Sequence, residues 1–242
     1  MILSLLVFFA LFLLLYFVSR RITKNIYLFA FLLTGGKLSS LNFLSFCLLP
    51  GTVIHELSHM IVGELLFVKT GEFSFKPQLD EGEKIQIGSL KIVKTDPVRR
   101  TIIGLAPFIT GLIIIFSVFN FYLSKQFNNL AIKQYNNITI IQLIILLVVS
   151  YLLSVISLTM FSSPKDLEAA LLPALILIII VLSLSVAGFR LTVPKNLIDF
   201  TAHAFFSLDK ALGFVLFLDL VGLAILRGLN SLASRLLRRE IG

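Results

Sequence analysis

Long apolar blocks dominate this chain and leave its backbone few choices. Runs rich in Leu, Ile, Val and Phe occupy residues of about 1–19, 41–68, 100–123, 138–161, 168–189 and 205–228. Each is close to or above the roughly 20 residues a helix needs to cross a bilayer core. Within that core no water satisfies an N–H or C=O, so a crossing segment must bond to itself as a helix. The expected fold class is an all-α polytopic membrane protein with about six transmembrane helices. Its 57% hydrophobic content exceeds the roughly 45–50% of soluble domains. The net charge of +8 is therefore not a nucleic-acid footprint. Basic residues of a membrane protein gather at helix ends, where they set orientation and meet anionic lipid. The lipid bilayer is thus an expected partner and nucleic acid is not.

Residues 1–18 are apolar, lack a preceding basic cluster and are followed by Arg20 and Arg21, so a retained helix is expected rather than a cleaved leader. The short run 26–33 covers only about 12 Å as a helix and reads as interfacial or re-entrant. Cys47 is the single cysteine, which excludes an intramolecular disulfide. Residues 70–96 differ from the rest. Phe73 and Phe75, Ile85 and Ile87, and Leu90 and Ile92 alternate around a Asp80-Glu81-Gly82 turn signal, predicting a small β-hairpin or meander. Counting Lys and Arg by loop gives 12 on one side and 9 on the other, which favours cytoplasmic termini and a cytoplasmic β-section.

The chemistry concentrates in the second apolar block, at His55-Glu56-Leu57-Ser58-His59, an H-E-x-x-H pattern. On a helix the two histidines lie about 40° apart in azimuth, so both imidazoles can reach one ion. Zinc suits two imidazoles and keeps a position open for water, whose proton Glu56 is placed to take. A buried polar cluster bridging helices is the bland alternative. Ionisable groups at mid-membrane cost about 2.5–3.5 kcal/mol each on insertion scales, which favours function over ornament. Pro50-Gly51 just upstream suggests that the metal helix begins afresh there.

Two histidines leave a third protein ligand to find. Glu64 faces elsewhere on the helix wheel, and Glu72, Asp80, Glu81 and Glu83 belong to the polar β-section. Asp166, in "SSPKDLEAA", shares the predicted membrane face of the motif helix's end and is the leading candidate. It could instead cap the helix that follows, and Glu168 is its rival as ligand. Asp219, deep in the last apolar block, is a functional suspect or a carboxylate packed against a serine or a backbone donor. His203 reads as interfacial, and Arg235, Arg238 and Arg239 as lipid-facing.

"PGTVIHELSHMIVGELLFV", a β-section, "RRTIIGLAPFITG" and "SSPKDLEAA" together resemble the site-2-protease-like intramembrane zinc metalloproteases over roughly residues 41–172. The resemblance implies Zn2+ held by His55, His59 and Asp166, with Glu56 as catalytic acid/base and a membrane protein or peptide as substrate. It departs from the family in the Lys165-Asp166-Leu167 context of the aspartate and in the Gly104-Leu105-Ala106-Pro107 form of the third-helix element. The organisation expected is one membrane domain, 1–242. Its metalloprotease core at 41–172 comprises a zinc helix at 50–68, a β-section at 70–96 and helices at 100–123 and 138–161. C-terminal helices and a basic tail follow at 173–242. A prenyl-processing type of membrane zincin, with Glu168 as ligand, is the alternative enzyme. A non-catalytic metal-binding or transport protein is the alternative outside enzymes.

Overall fold

The computed structural model describes residues 2–79, 85–92, 95–126, 140–161 and 194–237, with positions 176, 179 and 183. Helix α1 spans Ile2–Thr34 and α2 spans Lys37–Leu65. Strands β1 (Thr70–Leu79) and β2 (Ile85–Ile92) follow. Helix α3 (Pro97–Val118) continues into a π-helical turn at Phe119–Leu123, and α4 (Ile140–Met160) and α5 (Lys195–Leu237) complete the order. Among the described residues, five helices are long and apolar enough to cross a membrane. The sixth expected span, 168–189, lies outside the described residues apart from positions 176, 179 and 183.

Two expectations about helix limits are corrected. The run 26–33 is not a separate interfacial piece. It continues α1, whose 33 residues extend about 50 Å. Arg20, Arg21 and Lys24 interrupt the hydropathy but not the backbone, since none of them breaks a helix. What ends α1 is Gly35, whose φ of 69° is open to glycine at no steric cost, and whose N–H bonds the Phe31 carbonyl at 2.8 Å. Nor does α2 restart at Pro50, which lies inside the helix. Proline removes one intrahelical bond and crowds the preceding turn. The neighbouring helix braces that turn: the Tyr151 hydroxyl of α4 donates to the Cys47 carbonyl at 2.7 Å.

The strands pair antiparallel, from Thr70 opposite Ile92 to Leu79 opposite Ile85. One register shift falls between Ser74 and Pro77, where proline has no N–H to give the ladder. Helix α3 starts cleanly at Pro97 because Asp96 accepts from the Arg99 backbone N–H at 3.1 Å. That backbone bond, then the Arg99 charge, holds the Asp96 carboxyl below its ordinary range.

Helices α1 and α5 form a long pair. Ser4 donates to Asp209 at 3.1 Å, and Asn230 donates to the Asn25 side-chain oxygen at 3.0 Å. Both contacts join residues 205 apart, so the two helices run in the same direction. Phe8, Leu11, Leu15, Val18 and Ile22 of α1 and Leu212, Leu216, Leu223 and Leu226 of α5 belong to one hydrophobic core, and Asp219 is buried on the same stretch of α5. Steps of three and four in both sets mark one face of each helix.

Helix α4 has two different halves. Ile140, Ile141, Leu143, Ile144, Leu147 and Val148 are exposed and apolar, as a lipid-facing surface would be. From Leu153 and Val155 to Met160 the helix is enclosed. Ser19 of α1 donates to the Leu158 carbonyl at 2.9 Å, tying α1 to the last turn of α4. Phe161 meets Phe12, Tyr16 and Phe108 edge-on, with ring centroids 4.9, 5.8 and 5.7 Å away. Glycines let α4 approach closely. A Cβ on Gly51 of α2 would lie 2.5 Å from Thr159 Oγ1, and one on Gly111 of α3 would lie 2.5 Å from Met160 Sδ.

Candidate metal centre

The motif helix is polar inside and apolar outside. Gly51, Thr52, His55, Glu56, Ser58, His59 and Gly63 are buried, whereas Leu57, Ile61 and Leu65 are exposed. A water-soluble helix shows the reverse. The arrangement suits a helix whose outer face meets lipid and whose inner face carries chemistry. His55, Glu56 and His59 keep only 4%, 5% and 5% of their surface exposed.

The two imidazoles converge. His55 Nε2 and His59 Nε2 are 3.3 Å apart, and the rings are nearly perpendicular at 84°. Two zinc–nitrogen bonds of about 2.0–2.1 Å at a tetrahedral angle place their nitrogens about 3.3–3.4 Å apart. The observed separation matches that spacing. His59 Nδ1 lies 2.8 Å from the Ile103 carbonyl of α3. A carbonyl only accepts, so Nδ1 carries the proton, and in the neutral ring Nε2 holds the lone pair. A metal-binding histidine needs this tautomer, and a backbone carbonyl is a common partner for it.

Asp166 and Glu168 lie outside the described residues. Glu64 and His203 are exposed. No group of three or more His, Cys, Asp or Glu side chains gathers among the described residues. Asp219 is 1% exposed, and its Oδ2 accepts from Ser157 of α4 at 3.2 Å, which packs it against a serine. Sequence reading missed the Ile103 carbonyl and the Gly51–Thr159 contact. A signal for the first was available, because Pro107 stands four residues after Ile103.

No protein-family model, curated protein or solved structure matches this chain.

Proposed function

We propose that this membrane protein is a zinc endopeptidase that cuts membrane-associated polypeptides. The observation carrying the reading is the 3.3 Å approach of two histidine Nε2 atoms, with His59 Nδ1 held by a backbone carbonyl. In this reading His55 and His59 hold Zn2+, and Asp166 completes the protein ligands. Zinc bound there supplies Lewis acidity, which makes water a usable nucleophile near neutral pH. Glu56, adjacent to His55 and buried, accepts the proton of the attacking water and returns it to the leaving amine. The enclosing helices limit access by bulk solvent and keep the charges near the reacting carbonyl effective. The β1–β2 pair gives an extended substrate segment a backbone ladder to join, since an unwound peptide must find partners for its amides.

Metal analysis of the purified protein tests the assignment. About one zinc per chain is expected, with occupancy falling in Asp166→Ala and unchanged in Glu168→Ala. Metal loss in Glu168→Ala alone would transfer the chain to the prenyl-processing type. Absence of zinc from freshly purified protein, with none taken up on addition, would remove the peptidase reading.

The parallel α1–α5 pair supports a topology other than one with both termini cytoplasmic. If both helices cross the bilayer, the start of α1 and the end of α5 lie on opposite faces. A 12 to 9 basic bias is weak by comparison with two polar contacts in one register. The expected result, in a Cys47→Ser background, is that Lys37→Cys and Arg235→Cys react with an impermeant maleimide from the same side. Labelling from opposite sides would restore the same-face arrangement.

A further inference from the structure

We infer that Pro107 is a positioning residue for His59, acting through the carbonyl of Ile103. The inference rests on the proposed role of His59 as a metal ligand and specifies what sets that ligand's tautomer.

In an α-helix the carbonyl of each residue accepts from the N–H four residues later. The donor due to Ile103 is residue 107, and proline has no N–H. Ile103 is 1% exposed and Pro107 is buried, so solvent has little access to replace the lost bond. A buried carbonyl left without a partner is costly, which makes it a strong acceptor for a nearby donor. That donor is His59 Nδ1 at 2.8 Å. The pairing works in both directions. It satisfies the oxygen released by proline, and it keeps the His59 proton on Nδ1, so Nε2 faces His55 Nε2 as an acceptor. Any other residue at 107 would return an N–H to the helix, which would compete for the same oxygen and free the His59 ring to change tautomer. A kink-only role for Pro107 predicts no such effect on the ring.

The experiment uses full-length protein labelled with 15N-histidine in detergent micelles, metal-free and then titrated with Zn2+. In the wild type, His59 should show the neutral tautomer with the proton on Nδ1. In Pro107→Ala the Nε2-protonated form should appear, and zinc affinity should fall by about ten- to a hundredfold, the usual effect of losing a ligand's orienting partner. Thermal stability should hold or rise, because alanine is the better helix former. Pro107→Gly, which also restores the N–H, supplies the same two readouts should the alanine variant not fold. An Nε2-protonated His59 in the wild type overturns the inference, and so does unchanged tautomer and affinity in the variants. The tautomer signal needs no metal. A wild type that fails to bind zinc therefore overturns the metal reading alone, whereas zinc binding indifferent to residue 107 overturns this one alone.

Discussion

Changing Glu56 to Gln is expected to leave zinc in place and to cut peptide hydrolysis by about 10²–10⁴-fold, the range supplied by a positioned acid/base. The amide has nearly the volume of the carboxylate, so the buried position stays filled, but it cannot accept a proton from water. Changing either histidine has a different signature. His55→Ala or His59→Ala removes one of two converging nitrogens, and metal and activity should disappear together. The measurements are metal content of purified variants and quantitative proteomics of cells carrying Glu56→Gln, in which uncleaved membrane polypeptides should accumulate. Full turnover by Glu56→Gln would sink the proposed mechanism.

The second large effect is expected at Gly51. An alanine there would place its Cβ 2.5 Å from Thr159 Oγ1 and 2.6 Å from the Val155 carbonyl oxygen. The hydroxyl can rotate away, but the backbone oxygen can move only with α4. Overpacking of this kind costs about 1–3 kcal/mol. The strain falls one helical turn before His55, and the contacted stretch of α4 is also bonded to α1 and α5 through Leu158 and Ser157. Gly51→Ala should therefore lower the unfolding temperature and weaken zinc binding together. Adding Thr159→Ala should recover only part of the loss, since the backbone contact persists. Gly213 of α5, where an added Cβ meets nothing within 4 Å, is the control. Gly213→Ala should be neutral or stabilising, and a loss at Gly213 equal to that at Gly51 would assign the effect to glycine removal rather than to helix contact.

The membrane-spanning character was legible because blocks of about twenty apolar residues have few alternatives to a helix. The convergence of His55 and His59 was legible because a spacing of four residues fixes azimuth before any tertiary contact forms. Helix limits were less so. Hydropathy falls at Arg20, Arg21 and Lys24, yet continuity depends on breakers, and the first breaker is Gly35. Pro50 looked like a start but is carried inside α2, where a hydroxyl from another helix braces the distorted turn. The tertiary partners of the site depend on which helices meet. Ile103 is an unremarkable apolar residue until Pro107 withdraws its usual donor and α3 sets the carbonyl beside His59. Asp219 was visible as a carboxylate in an apolar run, but its serine partner lies 62 positions earlier in the chain and on another helix.

The α1–α5 pair also bears on how the molecule is made. The whole site-bearing stretch, α2 to α4, is synthesised between the two members of that pair. Contacts separated by 205 residues cannot form until the distal helix has left the ribosome and entered the bilayer. During that interval α1 presents Ser4 and Asn25 to lipid or to an insertion factor without their eventual partners. Long-range pairing of this kind makes closure a late and slow event. The motif helix can thus meet α3 and α4 first, with the α1–α5 seam closing around an assembly in which the histidines have already converged.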